Sequence, residues 1–119
     1  MRHNRRKHRL QLSPEMRMAL IKNLSVELID HKRIKTTLSK CRALRPYVEK
    51  LVTIAKKDTL ANRRLIYAKL GNRDAVTILF NDVAPKCKAR AGGYTRIYKI
   101  ADTRVGDGAK VALIEWVDK

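Results

Sequence analysis

The apolar residues of the chain recur at helical spacing in four separate stretches. The first stretch follows Ser13 and Pro14, a capping residue and a proline that together are typical of a helix start, and it should end near His31. The second stretch follows Thr37 and runs to about residue 57. Pro46 lies inside it, and because proline cannot donate a backbone hydrogen bond we expect one kinked helix there.

The other two helical stretches are bounded by residues that commonly cap helices. We expect Asp58 to cap the third helix, and Gly71, which tolerates a left-handed backbone, to end it. Asn72 is placed to cap the fourth helix, which should end before Pro85 because proline cannot continue it.

Three short segments are rich in β-branched and aromatic residues, which predicts strands at 33–37, 94–100 and 110–117. A Gly-Asp-Gly turn signal at 106–108 joins the last two into a hairpin. Helices that are segregated from a small sheet form an α+β fold. The chain is therefore predicted to be one two-layer domain over residues 13–119, in the order α-β-α-α-α-β-β, with helices packed on a small mixed sheet.

Charge indicates the kind of partner. The 119 residues include 28 Lys and Arg against 11 Asp and Glu, for a formal net charge of +17. Such an excess repels itself in an isolated protein and favours a polyanionic partner, either nucleic acid or an acidic membrane surface. No apolar run approaches the ~20 residues of a spanning helix, and no apolar stretch follows the charged N-terminus. We therefore expect no membrane partner and no secretory signal, and nucleic acid is the favoured partner.

Composition limits the class of protein further. Hydrophobic residues make up 45% of the chain, which is too many for a fully disordered basic protein. With one Trp, four Tyr and one Phe, the chain is poor in the aromatic rings on which an exposed sheet would stack several bases.

The positive charge is spread along the chain, but it has a focus at the N-terminus, in residues 1–12. This segment has no acidic residue and little apolar surface, so it should gain order only on a partner. We interpret it as a basic N-terminal arm that binds RNA, and a solvated tail without a role is the alternative. Its candidate RNA-binding residues are Arg2, His3, Arg5, Arg6, Lys7 and Arg9.

A glycine pair between two arginines is the most informative local feature. The segment reads Arg90-Ala91-Gly92-Gly93-Tyr94-Thr95-Arg96. Glycine permits a positive φ and lets the backbone approach another surface, while arginines and hydroxyls suit a phosphate, a ribose 2′-hydroxyl or an unpaired base. An ordinary loop that enters a hairpin is the alternative. The segment is not a P-loop, because it lacks the Gly-Lys-Ser/Thr of that motif.

Two further groups of basic and polar residues suit contacts with an RNA backbone. One runs from the first predicted strand into the second helix and consists of Arg33, Lys35, Thr36, Thr37, Lys40 and Arg45. The other opens the third helix and consists of Asn62, Arg63 and Arg64. Because adjacent helical residues point about 100° apart, at least one of these two arginines should face outward. A solvated surface is the competing interpretation of both groups.

Catalytic and metal chemistry find little support in the sequence. The three histidines are scattered, and no Ser, Cys or acid stands in a recognisable nucleophile or metal-ligand pattern. We therefore expect no enzymatic activity, no metal, no cofactor and no small-molecule substrate. Cys41 and Cys87 lie far apart and outside any Cys-x-x-Cys pair, which predicts two reduced thiols packed in the core of a cytosolic protein.

Four ordered blocks resemble those of a known family. They are Met-Arg-His at 1–3, Ile-Lys-Thr-Thr-Leu at 34–38, Ala-Asn-Arg-Arg-Leu at 61–65 and the arginine-flanked glycine segment at 90–96. In these blocks the chain is similar to the bacterial large-subunit ribosomal protein family numbered seventeen, and the similarity runs from Met1 to the C-terminus. Residues 4–16 depart from the family's usual pattern, so we transfer no detailed contacts there.

The resemblance implies a structural protein of the large ribosomal subunit, in the cytoplasm, that supports translation and subunit assembly. Its partners would be large-subunit ribosomal RNA and neighbouring large-subunit ribosomal proteins, on the solvent side near the peptide exit. Composition and spacing alone indicate only a basic α+β protein that binds nucleic acid, with RNA favoured.

Two other functions stay open on the residues alone. A DNA-binding regulator is compatible with the helices, although no short helix-turn-helix with a plausible recognition helix and no clear dimer seam is evident. An RNA-modifying enzyme would need a cofactor pocket that the sequence does not indicate. Sedimentation with large ribosomal subunits at low salt, and release in molar salt, would separate a subunit component from both.

Overall fold

The computed structural model describes residues 12–103, 106 and 108–118. Its elements are α1 (Pro14–His31), β1 (Arg33–Thr37), α2 (Leu38–Ala55), α3 (Leu60–Leu70), α4 (Arg73–Ile78), a π-helical turn (Leu79–Val83), α5 (Ala84–Lys86), β2 (Thr95–Thr103) and β3 (Lys110–Trp116). Helices combined with a small separate sheet confirm the predicted α+β class.

Side-chain caps start the helices largely as the sequence predicts. The hydroxyls of Ser13 and Thr37 and the amide oxygen of Asn72 each accept a hydrogen bond from the backbone N–H three residues later. Gly71 ends α3 at a φ of 69°, a left-handed conformation that glycine adopts without a steric penalty.

The cap of α3 is Thr59 rather than the predicted Asp58. The Thr59 hydroxyl accepts a hydrogen bond from the backbone N–H of Asn62 at 3.1 Å. The Asp58 carboxylate instead accepts two hydrogen bonds from the Arg63 guanidinium, at 2.6 and 2.8 Å. This pairing lowers the pKa of Asp58, and it leaves the neighbouring hydroxyl to cap the helix.

α2 continues through Pro46, as predicted, and ends at Ala55. Leu44 and Val48, on either side of the proline in sequence, are both fully buried, while Pro46 itself is exposed. The apolar face of the helix therefore passes the proline without a shift, and the missing backbone donor lies on the solvent side.

The fourth helical stretch continues past its predicted end. α4 passes into the π-helical turn and then into α5, which contains Pro85. Proline is disfavoured inside an α-helix because it lacks the N–H and meets the carbonyl four residues earlier. The wider π turn ahead of Pro85 places it in the first turn of a new α-helical segment, where proline is tolerated.

The sheet has the strand order β1-β3-β2, and both neighbouring pairs are antiparallel. The prediction of a mixed sheet was wrong, because β3 lies between the two strands that run in the same direction. In register, Ile34 pairs with Ile114, which pairs with Ile97, and all three pack towards the hydrophobic core. This row defines the inner face of the sheet.

The buried apolar residues of the described chain form one hydrophobic cluster, with α2 at its centre. Trp116 at the end of β3 is 1% exposed, and its indole Nε1 donates to the backbone carbonyl of Leu28 at 3.1 Å. This bond joins the sheet to α1. Cys41 and Cys87 are both buried, unpaired thiols, which confirms that they pack in the core.

Candidate nucleic-acid interface

The face of the sheet that points away from the helices carries three cations and one exposed ring. Two cross-strand rows lie on it, Arg33, Glu115 and Arg96 in one, and Lys35, Leu113 and Tyr98 in the next. Successive strand residues point to opposite faces, so these rows lie opposite the isoleucine row. We call the surface formed by Arg33, Lys35, Arg96 and Tyr98 the outer sheet face.

Arg96 is held in place by the only acidic residue in the two rows. Its Nε donates to Glu115 Oε2 at 2.8 Å and its Nη2 lies 2.7 Å from the same oxygen. Glu115 is only 2% exposed, whereas the side chain of Arg96 remains 44% exposed. The Arg96 guanidinium also lies 5.3 Å from the centroid of the Tyr98 ring, which is 48% exposed as a residue. The outer sheet face thus presents an oriented cation beside an accessible aromatic ring.

The loop before β2 is held against the end of α2 and the C-terminal residues. The Arg90 Nε donates to Asp118 Oδ2 at 3.0 Å, and the Arg90 carbonyl accepts a hydrogen bond from the Lys56 ammonium. The same ammonium lies 4.6 Å from the centroid of the Tyr94 ring. The cation of Arg90 is 41% exposed at its side chain, so it reaches solvent although it is paired.

Tyr94 and Thr95 point inward, unlike the two arginines that flank them. Each is 1% exposed. The Thr95 hydroxyl donates to Glu49 at 2.8 Å. The Tyr94 hydroxyl lies 3.4 Å from the Thr53 hydroxyl. Hydrogen bonding with the Lys56 ammonium, and to a lesser extent with the Thr53 hydroxyl, lowers the pKa of Tyr94. The two side chains therefore anchor the loop to the core and do not form part of its exposed surface.

The glycine pair is asymmetric. Gly93 has a φ of +64°, in the left-handed region that favours glycine, whereas Gly92 does not. A Cβ added at either position would meet no atom within 4 Å, so the space above both glycines is open. This backbone is exposed and can approach another molecule closely, and only Gly93 needs its conformational freedom.

The residues predicted around the start of α2 divide between structure and surface. Thr37 caps the helix, and its hydroxyl accepts from the Lys40 backbone N–H at 3.4 Å. Thr36 is half-buried beside the central strand. Lys35 lies on the outer sheet face, and Arg45 is exposed on α2, where its Nε lies 3.4 Å from Glu49.

The side chains of Asn62 and Arg63 both form hydrogen bonds with other residues of the protein. The Asn62 amide donates to the carbonyls of Ile54 and Lys57, at 3.2 and 2.9 Å, and so binds the C-terminal end of α2. Arg63 pairs with Asp58, as described above. Arg64 is exposed and makes no ion pair with any described residue, so of the two adjacent arginines it is the one that faces outward, as the helical spacing predicts.

A known protein family matches this chain over most of the described residues. The family described as "Ribosomal protein L17" matches residues 20–117, which contain every element except the first turns of α1. The chain belongs to the ribosomal protein L17 family. The resemblance inferred from the four sequence blocks is therefore confirmed.

Relatives extend the similarity over nearly the whole chain. The "Large ribosomal subunit protein bL17" of Methylacidiphilum infernorum is 54% identical over 118 residues, 99% of this chain and 89% of that protein. The protein of the same name from Persephonella marina is 51% identical over 99% of this chain and 96% of its own length. That of Neorickettsia sennetsu is 51% identical over 98% of this chain and 100% of its own length.

The basic arm lies outside the residues that the structure describes. This holds for its predicted RNA-binding residues, Arg2, His3, Arg5, Arg6, Lys7 and Arg9. The match to the L17 family begins at residue 20, downstream of the arm, while the alignments to the relatives span almost the full chain. The role of the arm therefore stays a prediction.

Sequence reasoning missed three exposed residues that belong to the basic surface of this L17 family member. Tyr98 lies on the outer sheet face, and Arg42 and Lys99 line a groove between α2 and β2. Arg42 precedes Arg45 by three residues. Because residues at this spacing are neighbours on the surface of a helix, the sequence alone could have placed Arg42 beside Arg45. Lys99 joins them only through the tertiary fold, so no local pattern could have found it.

The part of the chain that the structure describes shows no metal-ligand cluster and no membrane-spanning helix. Within it, no group of three or more His, Cys, Asp or Glu side chains is placed to hold a metal ion. Among the helices of the same residues, none combines the length and the hydrophobicity of a segment that spans a bilayer.

Proposed function

We propose that the protein is a structural constituent of the large ribosomal subunit, where it binds large-subunit ribosomal RNA and supports translation and subunit assembly. The observation that carries this proposal is the identity of 54% to a large ribosomal subunit protein over 99% of the chain. Its other partners are the neighbouring large-subunit ribosomal proteins, and its location is the ribosome in the cytoplasm. No catalytic step is part of this role.

The surface chemistry supports RNA as the direct ligand. A net charge of +17 is offset when arginines and lysines neutralise phosphates and release their counterions. On the outer sheet face, Arg33 and Lys35 make no ion pair with any described residue, so both can bind phosphates. Tyr98 offers a single ring, which suits one unpaired base stacked beside the Arg96 guanidinium.

The glycine loop supplies a second contact surface. Arg90 and Arg96 flank it, and its exposed backbone can approach a ribose or phosphate where a side chain would keep the RNA away. Tyr94 and Thr95 contribute indirectly, because their buried side chains fix the position of the loop. The remaining predicted contacts come from Lys40, Arg45 and Arg64, and from the basic arm.

Site-specific photo-crosslinking inside native large subunits tests this proposal. A photoreactive phenylalanine derivative would replace Tyr98 on the outer sheet face or, as a control, Thr77 on α4, a helix without predicted RNA-binding residues. The proposal predicts a crosslink from position 98 to a defined segment of large-subunit ribosomal RNA, stronger than that from position 77. Crosslinks from position 98 to protein alone would refute the RNA contact, and absence of the protein from large subunits would refute the function.

A further inference from the structure

A groove lined by three cations lies between the N-terminal half of α2 and β2, on the inner side of the sheet. Its volume is about 360 Å³, and it is lined by Leu38, Arg42, Arg45, Ile97 and Lys99. It is separate from the outer sheet face, because Ile97 and Lys99 alternate with Arg96 and Tyr98 along β2. Of the residues that line it, only Arg45 is among the RNA contacts predicted from the sequence.

Two of the three cations of this groove, Arg42 and Lys99, have no acidic partner among the described residues. The side chains of Arg42 and Lys99 are exposed and make no ion pair or hydrogen bond with any described residue. Arg45 reaches only Glu49, at 3.4 Å, and the same Glu49 oxygen already accepts two hydrogen bonds from Thr95. Three like charges that share one opening repel each other, and an anion in the opening would relieve that repulsion.

The shape of the groove favours a chain-like anion over a small enclosed one. Leu38 is buried and Ile97 is half-buried, so they form an apolar floor along which the aliphatic parts of the three basic side chains can lie. The groove is open to solvent rather than closed around a cavity. Arg42 and Arg45 are one helical turn apart, and each guanidinium can hold a phosphate by two parallel hydrogen bonds.

We propose that this groove binds successive phosphates of a ribosomal RNA backbone segment through Arg42, Arg45 and Lys99. The inference rests on the function proposed above and adds to it an RNA-binding surface that is separate from the outer sheet face and from the glycine loop. The protein would then contact RNA on both sides of its sheet, with the outer sheet face on one side and the groove on the other.

The test compares two double variants of the full-length protein that remove the same charge. Arg42→Gln with Lys99→Gln removes one arginine and one lysine from the groove, and Arg73→Gln with Lys69→Gln removes one of each from the α3–α4 corner. Binding to purified large-subunit ribosomal RNA would be measured over a series of salt concentrations. All four residues lie at the surface, and circular dichroism and thermal melting would establish that both variants fold as the wild type does.

We expect the groove variant to reduce the slope of log Kd against log salt concentration by about 1.4–1.8, corresponding to two lost phosphate contacts. The α3–α4 variant should reduce it by less than half as much. Hydroxyl-radical footprinting should show one RNA segment that loses protection in the groove variant and keeps it in the control.

Other outcomes would overturn the inference. Equal effects of the two variants would mean that only the total charge matters. Normal RNA binding by the groove variant, with the loss of one neighbouring protein from the particles, would assign the groove to a protein. If the wild-type protein itself showed no salt-dependent binding to this RNA, the proposed function would fail together with the inference.

Discussion

The carboxylate of Glu49 accepts two hydrogen bonds from Thr95, one from its backbone N–H at 3.2 Å and one from its hydroxyl at 2.8 Å. Glu49 lies in the middle of α2, and Thr95 is the first residue of β2, directly after the glycine loop and Tyr94. The pair therefore fixes the point at which the loop leaves the core. Through that point it also positions Arg90 and Arg96 on the surface.

Replacing Thr95 with valine keeps the shape of the side chain and removes the hydroxyl. We expect Thr95→Val to lower the free energy of unfolding by about 1–2 kcal/mol, because the lost bond joins a buried donor to a carboxylate. Urea unfolding followed by Trp116 fluorescence would measure the change. Thr77→Val is the control, since its exposed hydroxyl bonds only to a carbonyl of its own helix. Equal losses in the two variants would show that the Glu49–Thr95 bond is not an anchor.

The asymmetry of the glycine pair gives a second prediction. Gly93→Ala should cost about 1–2 kcal/mol of stability, because alanine is strained at the left-handed φ of +64°. Gly92→Ala should stay within about 0.5 kcal/mol, since the φ of Gly92 is not positive and the added carbon meets open space. Thermal melting of the two variants would test this difference.

Incorporation into reconstituted large subunits separates the structural role of Gly93 from its role in binding. We expect Gly93→Ala to reduce incorporation by more than its loss of stability explains, because a displaced loop also misplaces Arg90 and Arg96. The same variant would be measured in a stabilised background. Full recovery of incorporation there would show that the glycine serves only the fold.

The basic arm should account for part of the salt dependence of binding. Deletion of residues 1–12 removes five cations and no acidic residue. The slope of log Kd against log salt should therefore fall by up to about 4, if each cation neutralises one phosphate. An unchanged slope in a titration against large-subunit ribosomal RNA would identify the arm as a passive tail.

The two buried thiols should be unreactive in the folded protein. Burial raises the pKa of Cys41 to about 11 and also raises the pKa of Cys87, so at pH 8 both thiols are protonated, whereas the thiolate is the reactive form. Iodoacetamide should label them only after unfolding in urea. In a Ser39→Cys variant, the new exposed cysteine on α2 should be labelled at once. Rapid labelling of Cys41 in the folded protein would contradict its placement in the core.

Local sequence signals predicted the elements well and their pairing poorly. Helical periodicity and capping residues located all four helical stretches, because those signals act over a few residues. Thr59, and not Asp58, caps α3. The Asp58 carboxylate is hydrogen-bonded to Arg63, a contact that the local capping pattern does not report. The pairing of β1 with β3 joins opposite ends of the chain, so no local pattern reports it, and the mixed sheet was predicted for that reason.

The sequence predicted many of the residues of the candidate site, but not the directions in which their side chains point. The glycine segment and its flanking arginines are recognisable from their spacing. Whether Tyr94 and Thr95 point inward depends on Glu49 and Thr53, more than forty residues earlier in the chain. The groove is likewise formed by two distant elements, α2 and β2, so only the fold brings Lys99 to Arg42 and Arg45.

Sedimentation of the native protein from a cell extract would show whether it is a component of the large ribosomal subunit. Gradients at low salt and in molar salt would be fractionated, and the protein would be detected by an antibody or by mass spectrometry. We expect the protein to sediment with large ribosomal subunits at low salt and to be released to the top of the gradient in molar salt, because phosphate contacts are screened there. A protein that stays at the top of the low-salt gradient, or that sediments with small subunits, would contradict this expectation.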